Sequence, residues 1–167
     1  SYGGLIAQHL AADHPEMIRR LVIAMSCYRF SEEGNELDLR YAQLLSEGKR
    51  REAFSSLSIV MGGGLKVRAL SFFMSFIGPL MVGKLEHPSD LVVEGKAEMM
   101  HNSKNRLSDI KAPTLVVGGD KDYYCPVNLL RETAEGIPDA KLVIYEGKSH
   151  MVTGKQFEDD VVAFLNE

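Results

Sequence analysis

Short, continuously apolar runs follow helical patterns at both ends of this chain. Three runs rich in Val, Ile and Leu have this form, at residues 20–25, 114–118 and 141–145. Helical patterns flank them at residues 1–14, 127–135 and 156–165. Because apolar and polar residues do not alternate along the runs, they are typical of strands buried on both faces of a parallel sheet. The repeated order of helix and strand therefore predicts an α/β fold with right-handed crossovers.

The middle of the chain, residues 31–106, shows helical patterns only. These patterns cover residues 36–47, 49–61, 65–82 and 89–102. We expect this block to be a helical cap inserted into a core formed by residues 1–30 and 107–167. The three glycines at 62–64 indicate a hinge in the cap rather than a phosphate-binding loop, because no strand precedes them and no Lys-Ser or Lys-Thr pair follows.

Composition argues against several function classes. The 167 residues carry a net charge of −4 and no long block of like charges, which argues against a nucleic-acid surface. No apolar run reaches the roughly 18 residues of a membrane span, so we expect no membrane partner. Cys27 and Cys125 lie too far apart in the sequence for a metal-binding pattern. We expect two free thiols, and these favour a cytoplasmic location.

Three candidate functional residues lie at the predicted strand ends. Ser1 stands at the entrance of the first helix, in the sequence Ser-Tyr-Gly-Gly, where a preceding strand would end. Asp122 lies just past the second apolar run, and His150 lies just past the third. Functional groups in open parallel sheets gather beyond the carboxyl ends of the strands. A serine hydroxyl needs a base, and the base needs an orienting group, so these residue types in this order indicate nucleophilic catalysis.

The chain resembles the C-terminal part of serine α/β-hydrolases, from the nucleophile elbow to the last helix. Four stretches carry the resemblance: residues 1–4 with 15–16 and 21–23, residues 112–118, residues 119–122 with 126, and residues 149–150 with 164–165. The resemblance implies Ser1 as nucleophile, His150 as general base and acid, and Asp122 as the carboxylate that orients His150. It also implies the backbone N–H of Tyr2 as one oxyanion donor, and a reaction that needs no metal or organic cofactor. The implied activity is cleavage of an ester or related acyl bond through an acyl-enzyme.

Some assignments stay open at the level of sequence. Asp120 competes with Asp122 for the orienting role, although the spacing to Pro126 favours Asp122. Ser1 could instead cap the first helix, and His150 could be a structural loop histidine. The remaining histidines have no partner pattern and are expected to have surface or core roles: His9, His14, His87 and His101.

The strands and helices that precede the elbow in this family have no counterpart in the chain. They supply half of the central sheet and the loop that carries the second oxyanion donor. We therefore expect the N-terminal half of the sheet to be absent and the first strand to have an unpaired edge. The chain would be the C-terminal fragment of a longer hydrolase, or would assemble with a separate N-terminal chain or as a homo-oligomer. We expect the isolated chain to be catalytically silent.

Two other function classes stay open. A non-catalytic module of the same fold, or an inactive fragment, would keep the three residues without turnover. An N-terminal nucleophile hydrolase would use the α-amine of Ser1 as its base and would require antiparallel sheet layers. Within the family, carboxylesterase, thioesterase, C–C bond hydrolase, haloperoxidase and peptidase activities share the constellation. Most side chains of the apolar cap segment 65–82 are expected to pack the cap onto the sheet. If some of them face the three candidate residues, the pocket is apolar and the small-molecule substrate carries a hydrophobic group.

Overall fold

The computed structural model describes residues 1–56, 69, 72–73, 75–78, 80 and 86–167. The chain groups into two compact units. One unit comprises Ser1–Ser31 and His101–Glu167, and the other comprises Glu32–Met100. The sequence-based division into a core and a cap, drawn after residue 30 and before residue 107, stays a prediction about domains.

A three-stranded parallel sheet forms the centre of the first unit. Its strands are β1 (Leu21–Ala24), β2 (Thr114–Gly119) and β3 (Ala140–Tyr145), in the spatial order β1-β2-β3. Thr114 pairs with Leu21 on one side and with Ala140 on the other. Every residue of β2 is buried, because this central strand is covered on both faces. The predicted α/β fold is confirmed, and the parallel sheet of the described residues makes the N-terminal nucleophile alternative wrong.

Within the described residues, six helices have defined bounds. They are α1 (Tyr2–Asp13), α2 (Glu32–Ser46), α3 (Arg50–Ser56), α4 (Pro88–Met100), α5 (Val127–Gly136) and α6 (Lys155–Asn166), with 3₁₀ turns at Pro15–Met17 and Lys104–Asp109. Pro15 disfavours the helical conformation at His14, so α1 ends at Asp13. Within the described part of the chain, no helix has the length and apolar character needed to cross a bilayer.

The first unit is held together by apolar side chains from the sheet, the last helix and the loop between them. One buried cluster consists of Leu115, Val117, Tyr145, Val152 and Phe164. Burying each Leu, Val or Phe side chain stabilises the unit by about 1.5–3 kcal/mol. This packing fixes the strand ends from which the candidate residues project.

The described residues of the second unit form helices and loops without a strand. Helix α2 begins at Glu32, four residues before the predicted start, and its first turn carries two acidic residues that the positive end of the helix dipole favours. Helices α2 and α4 lie close together at Gly95, where a Cβ would lie 3.5 Å from the Cα of Leu39. The predicted glycine hinge and most of the predicted helix at 65–82 lie outside the described residues. Four apolar side chains of that segment are described and exposed: Phe72, Phe73, Phe76 and Leu80.

Candidate active site

Three residues that are distant in the sequence come together at the carboxyl edge of the sheet. The backbone nitrogen of Ser1 donates to the carbonyl of Ala24, the last residue of β1, at 2.7 Å. Asp122 lies three residues beyond β2, and His150 lies five residues beyond β3. The parallel strands all end on the same side, so the loops that carry these residues meet there.

The carboxylate of Asp122 is fully enclosed by its own loop and by His150. Its side chain is 0% exposed. Its Oδ1 atom accepts hydrogen bonds from the backbone N–H groups of Tyr124 at 2.8 Å and Cys125 at 3.0 Å. These two hydrogen bonds hold the Asp122 carboxylate in the orientation in which it contacts the imidazole of His150. Asp120, the sequence-level competitor, has a buried Oδ1 atom without a partner in the described residues. The structure therefore places Asp122, and not Asp120, beside His150.

The imidazole of His150 bridges Asp122 and Ser1. Its Nδ1 atom lies 2.9 Å from Oδ2 and 3.0 Å from Oδ1 of Asp122, and its Nε2 atom lies 2.9 Å from Oγ of Ser1. A carboxylate can only accept hydrogen bonds, so the proton of the neutral imidazole belongs on Nδ1. The free lone pair is then on Nε2, where it can accept the hydroxyl proton of Ser1.

Ser1 occupies the N-cap position of α1 without using its side chain as a cap. Its hydroxyl makes no capping hydrogen bond and points instead to His150. Tyr2 begins α1, so its backbone N–H belongs to the first turn, where amide groups have no intrahelical acceptor. Such an N–H at the positive end of a helix can donate to a developing oxyanion.

Gly119 allows the loop that carries His150 to cross the end of β2. A Cβ at this position would overlap the carbonyl oxygen of Lys148, and it would lie 2.7 Å from the carbonyl oxygen of Ser149. Both atoms are backbone, so they cannot move away as a flexible side chain would. The adjacent glycines at positions 118 and 119 are the sequence signal from which this role could have been predicted.

Two buried thiols lie behind the site. Cys27 and Cys125 are both free and 0% exposed. Burial raises the pKa of the Cys125 thiol, and the neighbouring thiol of Cys27 raises this pKa further. A thiol that is buried and protonated is a poor nucleophile, so Cys125 does not compete with Ser1.

The other histidines are not part of this arrangement. His9 and His101 contact each other edge to face, with ring centroids 5.1 Å apart. Burial, together with the neighbouring His9, lowers the pKa of His101. Within the described residues, no group of His, Cys, Asp and Glu side chains is arranged to hold a metal ion.

A contact that the sequence did not reveal involves Tyr124. Its ring lies against the imidazole of His150, with centroids 4.7 Å apart. No periodicity or motif signals this packing, because it depends on how two loops separated by many residues approach each other.

The family model described as alpha/beta hydrolase fold matches residues 1–154. The chain belongs to the α/β-hydrolase fold family. A curated relative, the non-heme chloroperoxidase CPO-A1 of Kitasatospora aureofaciens, is 43% identical over 67 residues, which are 36% of this chain and 24% of that protein.

Two solved structures share the fold of this α/β-hydrolase chain over its full length. MGS-M2, an α/β-hydrolase enzyme from a Medee basin deep-sea metagenome library, superposes with a TM-score of 0.80 at 23% identity, covering 100% of this chain and 63% of that one. The enol-lactonase of Burkholderia xenovorans gives a TM-score of 0.79 at 22% identity, with 100% and 64% coverage. The chain thus spans less than two thirds of the length of these two proteins.

Proposed function

We propose that this chain carries the catalytic triad of a serine hydrolase that cleaves an ester or a related acyl bond. The observation that carries the proposal is one line of hydrogen bonds. It runs from Oγ of Ser1 to Nε2 of His150 at 2.9 Å, and from Nδ1 of His150 to Oδ2 of Asp122 at 2.9 Å. This is the order of nucleophile, base and orienting group that acyl transfer requires.

The first half of the reaction forms an acyl-enzyme. His150 accepts the hydroxyl proton of Ser1 while Oγ attacks the carbonyl carbon of the substrate. The carbonyl oxygen becomes an oxyanion, to which the N–H of Tyr2 donates. The imidazolium then gives its proton to the leaving group as the bond to that group breaks. Asp122 stabilises the imidazolium and keeps the correct tautomer throughout.

The second half releases the acid. A water molecule gives a proton to Nε2 of His150 while its oxygen attacks the acyl carbon. The bond to Oγ breaks, and the proton returns to Ser1. This sequence requires neither a metal nor an organic cofactor. We propose a small-molecule substrate with an apolar group and a cytoplasmic location, in keeping with the free thiols of Cys27 and Cys125.

The named relatives support acyl chemistry of more than one kind. An enol-lactonase acts on an internal ester, which agrees with ester cleavage by this chain. The chloroperoxidase relative favours a second candidate, in which hydrogen peroxide replaces water as the acceptor of the acyl group. Attack by peroxide would release a peroxy acid and restore the Ser1 hydroxyl.

The test measures hydrolysis of p-nitrophenyl acetate and butyrate by the polypeptide as encoded, with any residues that precede Ser1 retained. Ser1→Ala is expected to lower kcat by at least about 10³-fold. Ser26→Ala is the matched control, because Oγ of Ser26 is buried without a partner in the described residues. Its kcat should stay within about twofold of the original. Equal turnover by the original protein and Ser1→Ala would refute the proposal.

A further inference from the structure

We propose that Tyr124 is a positioning residue that holds the imidazole of His150 between Asp122 and Ser1. The inference rests on the proposed serine hydrolase mechanism, because it assigns Tyr124 a role through His150 rather than through contact with substrate. Its basis is a pair of contacts from one residue, in which the ring packs on the base and the backbone binds the orienting carboxylate.

The ring of Tyr124 is buried and is itself held in place. It is 7% exposed, and it contacts the imidazole at 4.7 Å between centroids with an angle of 58° between the planes. The ring of Phe30 lies 5.8 Å away on an edge-to-face contact, and Tyr123 lies 6.3 Å away. A large side chain packed on several rings has little rotational freedom. The ring of Tyr124 therefore forms a rigid surface against which the imidazole of His150 packs.

The backbone of the same residue binds the acid. The N–H of Tyr124 donates to Oδ1 of Asp122 at 2.8 Å, and Nδ1 of His150 lies 3.0 Å from that oxygen. A displacement of Tyr124 would thus move the Asp122 carboxylate together with the ring that contacts the imidazole of His150. Tyr124 therefore positions both partners of the His150–Asp122 hydrogen bond.

Ser31 fixes the backbone of Tyr124 from the other side. The N–H of Ser31 donates to the carbonyl of Tyr124 at 2.8 Å, and the hydroxyl of Ser31 donates to the carbonyl of Tyr123 at 2.7 Å. The two bonds attach the loop after β2 to the segment that follows β1. Tyr124 is consequently anchored at its ring, its N–H and its carbonyl.

The chemistry needs this anchoring. His150 has to receive a proton from one atom and deliver it to another while Nδ1 stays on Asp122. Rotation of the imidazole about its Cβ–Cγ bond would break both hydrogen bonds at once. A misplacement of about 1 Å in such a group costs on the order of 10²-fold in rate. Loss of the Tyr124 ring should therefore lower kcat and leave KM almost unchanged.

The experiment compares four variants of the encoded polypeptide with p-nitrophenyl butyrate as the probe. Tyr124→Ala is expected to lose about 10- to 100-fold in kcat with KM within about threefold. Tyr124→Leu, which keeps more of the buried volume, should lose about tenfold, and Tyr124→Phe should stay within about threefold because it keeps the ring. Tyr28→Leu is the matched control, since it removes another buried tyrosine ring, which contacts Glu132 and Lys104 rather than His150. Its kcat should stay within about threefold.

A second readout does not depend on turnover. A proton held between Nδ1 of His150 and a carboxylate gives a low-field NMR resonance. The original protein, Tyr124→Phe and Tyr28→Leu should show it, whereas Tyr124→Ala and Tyr124→Leu should show it broadened or lost. If kcat and this resonance are unchanged in Tyr124→Leu, the inference is wrong. An equal loss in Tyr28→Leu would also overturn it, since the effect would then be general destabilisation. If the original protein hydrolyses no ester, the proposed function fails, while the resonance still decides the role of Tyr124.

Discussion

The Nε2 atom of His150 lies 2.9 Å from the hydroxyl oxygen of Ser1, although 149 positions separate the two residues in the sequence. Parallel strands bring them together, because each strand ends at the same edge of the sheet. The same edge carries the loop of Asp122. The candidate site is therefore a direct consequence of strand direction and order.

Replacement of the orienting carboxylate should lower turnover strongly without weakening substrate binding. In Asp122→Asn the amide NH₂ can donate to Nδ1, which would leave the lone pair on the wrong nitrogen of His150. We expect kcat for p-nitrophenyl butyrate to fall by about 10³- to 10⁴-fold, with KM within a few-fold. Steady-state kinetics measure this directly.

Asp120→Asn provides the control for this change. The Asp120 carboxylate does not reach the imidazole, so its kcat should stay within about threefold. Equal losses in the two variants would contradict the assignment of Asp122 as the orienting group.

The close approach at Gly119 should make this position intolerant of a side chain. In Gly119→Ala the new methyl group would overlap the backbone carbonyl of Lys148. Overpacking of this kind costs about 1–3 kcal/mol in the free energy of unfolding. Urea denaturation would measure the cost. Gly3→Ala is the control, because nothing lies within 4 Å of its Cβ and Ala favours a helix. Gly3→Ala should be neutral or stabilising, and an equal loss in both variants would count against the steric explanation.

Sequence patterns were sufficient for the strands, because buried parallel strands are continuous apolar runs. The run at residues 114–118 and the observed β2, Thr114–Gly119, differ by one residue. The predicted start of α2 lies four residues after the observed one, because the first turn of this helix is polar and carries no apolar periodicity. The positions of Ser1, Asp122 and His150 at the predicted strand ends are sufficient to predict that the three residues lie close together.

Contacts between distant loops could not be found in this way. The packing of Tyr124 on His150 and the proximity of Cys27 to Cys125 depend on the final geometry of three loops. Neither produces a periodic pattern or a motif. For such contacts the sequence limits which residues are available, and tertiary packing decides which of them meet.

The buried carboxyl of Glu98 should make stability depend on pH. This side chain lies between α2 and α4, facing Asp38 and Glu94, in a cleft of about 180 Å³ that Tyr41 also lines. Burial, with smaller contributions from Asp38 and Glu94, raises the pKa of Glu98 from its ordinary value of 4.5 to about 7. The folded state therefore binds the proton more tightly than the unfolded state does.

The sign of the effect follows from this difference in pKa. The contribution of Glu98 is most favourable below about pH 4.5 and is lost as the pH rises to about 7. We therefore expect the free energy of unfolding, measured by urea denaturation, to decrease between about pH 4.5 and about pH 7 because of Glu98. Glu98→Gln should flatten that fall, whereas Glu36→Gln, which changes an exposed carboxylate on α2, should leave it unaltered. An identical pH profile in Glu98→Gln and the original protein would contradict this account.

The most direct test of the central claim is mass spectrometry of the encoded polypeptide after treatment with a fluorophosphonate. Attack by Oγ of Ser1 on phosphorus would form a P–O bond and expel fluoride, and His150 would take the hydroxyl proton. We predict a single adduct on Ser1, in the tryptic peptide that ends at Arg19, and its loss in Ser1→Ala and His150→Ala. No adduct, or an adduct that persists in both variants, would contradict the assignment of Ser1 as a nucleophile activated by His150.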